Sequence, residues 1–161
     1  MGPGRRSSRI PAILVVLLVG MLVAGCDDDE VTVADFAGAW EATRYQATSH
    51  ASAEVSIELI SIGGAFTFNA NDTGTFTGEV MIPEALGGPV TVPFEGAFEL
   101  LSQDSVNVNF DPEIPPVLTD FGGQFELDGD TLTITEENTT FDFDGDGVGE
   151  PARFEGTVVR K

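Results

Sequence analysis

The chain has 161 residues, with 27 Asp and Glu against seven Lys and Arg, and a formal net charge of −20 at pH 7. A balance this acidic excludes nucleic acid as a partner and anionic head groups as a docking surface, since both are bound through positive charge; it favours cations and basic partner proteins. One Cys and one His cannot fill the usual zinc or copper donor sets, and twelve Phe in alternating patterns argue against disorder.

From the N-terminus, Arg5, Arg6 and Arg9 precede an apolar run over residues 10–25, and four acids, Asp27, Asp28, Asp29 and Glu30, follow Cys26. A basic start, a greasy centre and small residues at the end are the parts of a secretory signal. The run is 16 residues, short of the roughly 20 that a membrane-spanning helix needs. Val23-Ala24-Gly25-Cys26 resembles the bacterial lipobox. That resemblance implies cleavage before Cys26, lipidation of its thiol and acylation of the new amine. Each buried methylene contributes about 0.8 kcal/mol, so several acyl chains hold a protein at a membrane where one holds it marginally. The expected organisation is a lipoprotein signal peptide over 1–25, a lipidated acidic tether over 26–34 and one domain over 35–161. The expected location is the bacterial cell envelope, with the lipid on Cys26 as the membrane contact and the choice of membrane open. Once lipidated, the sole cysteine offers no disulfide, nucleophile or thiolate ligand.

Beyond the tether the chain alternates apolar and polar residues between turns rich in Gly, Asn, Asp and Pro, which predicts strands. They are expected over 39–47, 54–61 (Val55, Ile57 and Leu59 on one face), 65–70, 75–82, 90–101 (Val92, Phe94, Phe98 and Leu100 together) and 105–110. Residues 111–122, with three prolines, form the longest irregular segment. Strands over 123–127 and 131–135 flank Asp128-Gly129-Asp130, and 139–143 pairs with 152–160. About eight to ten short strands with frequent turns predict an all-β sandwich or barrel. His50 sits between Ser and Ala in an expected loop, with no nucleophile-elbow motif near it. Among so many acids no carboxylate pair stands out by spacing, so no enzyme activity is expected.

Ahead of the last strand lies Asp142-Phe143-Asp144-Gly145-Asp146-Gly147-Val148-Gly149-Glu150. Acids at positions 1, 3 and 5 with glycine at 6 suit calcium, which takes six to eight hard oxygens from a loop folded back on itself. Val148 could add its carbonyl and Glu150 a ninth-position contact. The stretch resembles the first nine positions of an EF-hand loop, but position 12 is Arg153 and not the bidentate Glu. The expectation is weak calcium binding, with a Kd on the order of 10⁻⁴–10⁻³ M; the alternative is a solvated hairpin loop whose aspartates serve the turn.

The Gly38-Ala39-Trp40 start, Phe66-Thr67-Phe68-Asn69-Ala70-Asn71-Asp72-Thr73-Gly74-Thr75-Phe76 and Phe125-Glu126-Leu127-Asp128-Gly129-Asp130-Thr131-Leu132 resemble the corresponding hairpins of bacterial lipocalin-like domain lipoproteins. The resemblance implies an antiparallel up-and-down β-barrel in which Trp40, beside Gly38, plugs the narrow end and Arg160 packs on it. It also implies a small apolar ligand, carried rather than transformed. No helix-period segment follows the last expected strand, so the ligand chemistry of larger lipocalins is not carried over. Phe66, Phe68, Phe76, Phe94, Phe98 and Phe125 are the expected inward-facing aromatics. They would either wall an apolar cavity or fill a solid core. A filled barrel would act as a structural or interaction module through its acidic surface or the 111–122 loop.

Overall fold

A computed structural model of the chain describes residues 30–161 apart from Pro116. The expected signal peptide over 1–25, the lipidated Cys26 and the first acids of the tether lie outside the described residues. Nine strands follow in chain order: β1 (Gly38–Ser49), β2 (Ser56–Glu58), β3 (Ala65–Ala70), β4 (Thr75–Ile82), β5 (Val90–Leu100), β6 (Ser105–Asp111), β7 (Phe121–Asp128), β8 (Thr131–Phe141) and β9 (Glu150–Arg160). They lie in the sheet order β2-β1-β3-β4-β5-β6-β7-β8-β9, and β1 also pairs with β9. Every pairing is antiparallel. The sheet therefore closes on itself, which removes the edges that template aggregation.

β2 is not a stave of that ring. It pairs with the far half of β1 through Ala47↔Ile57, while β3 takes the near half through Trp40↔Phe68. The two are pieces of one strand, broken at 59–64, so eight strands close an up-and-down barrel. The break is held by the Glu58 carboxylate, which accepts from the amides of Tyr45, Ile60 and Ser61. Burial works to raise the Glu58 pKa, but these hydrogen bonds outweigh it and leave the group below the ordinary glutamate range. The strand expected over 54–61 is accordingly only its middle: Val55 is exposed, while Leu59 is buried.

Two bulges re-phase the alternation. Between Ala42 and Arg44 of β1 an extra residue turns Tyr45 and Ala47 inward, after Trp40 and Ala42. A second lies between Glu136 and Thr139. The strands expected separately over 131–135 and 139–143 are thus one continuous β8, bent at the bulge. The Val31 amide donates to Gln103 at 2.8 Å, and a 3-10 turn at Val33–Phe36 carries the buried Phe36, so the compact unit begins at Val31.

The main core packs inside the barrel, with Trp40, Leu59, Val80 and Leu118 almost wholly enclosed. Interior glycines make room for it. A Cβ on Gly78 would meet the Phe94 ring at 2.5 Å, and one on Gly96 the Phe76 ring at 2.4 Å. Each ring lies over the glycine paired with it across β4 and β5, a device that lets a closed sheet curve tightly.

Candidate functional site

The narrow end of the barrel is built around Trp40. Its indole Nε1 donates to the Phe36 carbonyl at 2.8 Å. The Arg160 guanidinium, on the strand paired with β1, sits 4.7 Å from the indole ring centre. That cation–π contact is worth about 0.5–2 kcal/mol. Arg160 also donates to the carbonyls of Ala37 (3.1 Å) and Asp35 (2.7 Å) and lies 3.4 Å from the Asp130 carboxylate. Gly38 has φ +137°, and a Cβ there would face the Arg160 stem at 3.6 Å. The Gly-x-Trp spacing thus sets a backbone conformation that L side chains rarely adopt directly beneath the arginine. Phe36 packs its ring against Phe98 and Phe125, both 5.2 Å away.

Above this floor lies an apolar cavity of about 90 Å³. Of the six aromatics expected inside, Phe66, Phe68, Phe76 and Phe98 line it. Phe94 and Phe125 are buried behind that wall, Phe94 stacking on Phe66 at 5.1 Å. The cavity has further aromatic walls in Tyr45, Phe110, Phe121 and Phe154. Phe110 was legible as the third residue of an alternating run. Tyr45 was not, because the β1 bulge changes its face.

The wide end is closed by the segment expected to be a free Pro-rich loop. Residues 111–120 fold back over the barrel, pinned by an isolated bridge between Ile114 and Leu118. Leu118 is 0% and Val117 3% exposed. The loop cannot stay in water because these two side chains complete the core, and polar ties hold it there. The Tyr45 hydroxyl donates to the Val117 carbonyl. Asp120 accepts from the Phe110 amide (2.8 Å) and the Asn109 side chain (2.9 Å). Burial pushes the Tyr45 phenol far above its ordinary pKa, so it stays a donor at every physiological pH.

Beneath this strap a second, smaller recess of about 30 Å³ shares the walls Tyr45, Phe121 and Phe154 with the main cavity and adds Glu136. Glu136 continues the inward row Leu132, Ile134 on β8, immediately before the bulge. Burial raises its pKa, partly offset by a hydrogen bond from the Gly122 amide. It has no basic partner among the described residues. Nothing in the local sequence marks it, since Glu136-Glu137-Asn138 reads as a polar turn.

The acidic loop stands apart from the cavity. Oxygens of Asp142, Asp144, Asp146 and Glu150 gather within 4.8 Å of one another. Val148 is 63% exposed. The carboxylates also serve the loop's own backbone. Asp142 accepts from the amides of Gly145 (2.7 Å) and Gly147 (2.9 Å), and Glu150 from the Phe143 amide (2.9 Å). Four carboxylates supply part of the six to eight oxygens that calcium takes. Arg153, at the twelfth place, is engaged by Glu137 at 3.0 Å. His50 is exposed, its Nε2 2.7 Å from the Glu137 carbonyl.

No family model matches the chain. No curated protein matches it. A solved structure described as EF1p2_mFAP2b bound to DFHBI is similar to it, with a TM-score of 0.45 at 15% identity, covering 79% of this chain and 94% of that one.

Proposed function

We propose that this barrel binds and carries a small apolar molecule in its interior while a lipid on Cys26 holds it at the bacterial cell envelope. The observation that carries the reading is an apolar cavity in the barrel interior, walled largely by aromatic rings. An enclosed void in a closely packed core forfeits dispersion contacts, so an apolar guest is stabilised there by contacts and by leaving water.

Magnitude limits the guest. Small-molecule sites run to roughly 300–1,000 Å³, and this cavity is about 90 Å³. The ligand is therefore a molecule of few heavy atoms, or a larger one admitted by displacing the strap. The same smallness favours a second reading: a nearly filled barrel acting as an interaction module, its acidic surface meeting basic partners. The acidic loop adds a weak calcium site to either reading, on the chemistry of its four carboxylates.

The two readings part on a cavity-filling variant. Val108 is buried and lines the cavity. Val108→Phe should lower the affinity for benzyl alcohol, followed by calorimetry, at least tenfold while the far-UV spectrum is kept. Unchanged affinity, or no binding by the parent protein, would leave the filled barrel as the better account.

A further inference from the structure

We infer that the recess under the strap is an ammonium site, so that the preferred guest is a small hydrophobic amine, its apolar body in the barrel and its charged head against Glu136. This rests on the carrier reading above and deepens it.

The first argument is placement. Glu136, half-buried, follows Leu132 and Ile134 on the same face of β8 and lines the recess, where the Gly122 amide is a hydrogen-bond donor to it. The second argument is its company. The aromatic rings of Tyr45, Phe121 and Phe154 wall both the recess and the apolar cavity. A carboxylate beside aromatic rings is the chemistry that recognises an ammonium group, through a charge-assisted hydrogen bond and cation–π attraction together. A neutral guest offers the carboxylate no charge-assisted hydrogen bond, and an anionic one would be repelled. The third argument is long-range. With a net charge of −20, the protein concentrates cations around itself and steers them inward.

Glu136 is the one carboxyl on the walls of this recess, and Tyr45 is the other titratable side chain there. The charged groups of the adjoining elements are occupied elsewhere. Arg153 pairs with Glu137 and Glu155, Arg44 with Glu155, and Asp120, on the strap, accepts from Asn109 and Phe110 of β6. His50 lies against the Glu137 carbonyl. A bound ammonium would favour the charged carboxylate and draw its raised pKa downward, so amine binding should weaken as pH falls through the free-state value.

Benzylamine and benzyl alcohol share a skeleton and differ in charge, and calorimetry on the lipid-free barrel reads both. Alcohol binding alone reports on the carrier reading; the amine-to-alcohol affinity ratio reports on the ammonium site. The ratio should be about tenfold or more at pH 7, fall below twofold in Glu136→Gln, and fall likewise in the parent protein between pH 7 and pH 4, with folding checked by circular dichroism. The pH series stands if the variant does not fold. Alcohol binding with a ratio near one, or a ratio indifferent to pH, overturns the ammonium site alone. Binding of neither compound overturns both readings.

Discussion

The two ends of the barrel are closed by different chemistry. At the floor, Trp40 bonds to Phe36 four residues away, and Arg160 lies over it from the strand paired with β1. Local spacing and one strand register assemble the whole seal. At the mouth, a strap reaches across the opening, and its hydroxyl tie joins Tyr45 to Val117, 72 residues apart. The floor is fixed by rigid strands; the strap is irregular backbone held by two buried side chains and a few hydrogen bonds. Segments held this way open locally at lower free energy than the sheet they cover. The floor is thus the more rigid end and the strap the end that opens more readily.

The largest effect should come from Trp40→Ala. Removing a fully enclosed indole costs about 3–5 kcal/mol, lowers the denaturant midpoint and raises amide exchange in every strand together. Leu118→Ala should cost about 2–4 kcal/mol, and its signature differs: exchange rises first in 111–120, while β4 and β5 keep their protection. If Leu118→Ala instead loosened the whole barrel evenly, the strap would belong to the rigid frame and the contrast between the ends would fail.

The proposed calcium site concerns neither end but the loop of the β8–β9 hairpin. At ten times its Kd an ion bound only to the folded state adds about 1.4 kcal/mol, seen as a rise in Tm with millimolar calcium that Asp144→Asn reduces. An unchanged Tm would mean that the loop's carboxylates serve its own amides alone. The smallest effect concerns Glu58, whose folded-state pKa is depressed. Its contribution is complete above the ordinary glutamate value and is lost as pH falls through the lower folded value. Glu58→Gln should flatten the acid limb of stability against pH without moving the plateau at neutral pH by the amounts above.

Much of this was legible in the chain. Alternation gave β4 to β6 almost residue by residue, since Val106 and Val108 are buried and Asn107 and Asn109, which alternate with them, are not. Gly38, Trp40 and Arg160 could be singled out through the resemblance of the Gly38-Ala39-Trp40 start to lipocalin-like domains, and the register of β1 with β9 brings Arg160 onto Trp40. What could not be read has a common cause. A bulge adds one residue and reverses the faces beyond it, so Tyr45 could not be assigned inward and β8 was divided in two. Glu136 sits at such a point, in the gap between the strands expected over 131–135 and 139–143. The strap was missed because Val117 and Leu118 carry no period of their own, and their burial is decided by the opening they happen to cover.

The central claim is that a small apolar guest lies inside the barrel between floor and strap. Methyl NMR during a benzyl alcohol titration addresses it directly. The account expects shifts concentrated on Val106, Val108, Leu132, Ile134 and Val158, which wall the cavity. Shifts confined to the exposed Val55, Val90 and Val148, with the interior methyls unmoved, would contradict it.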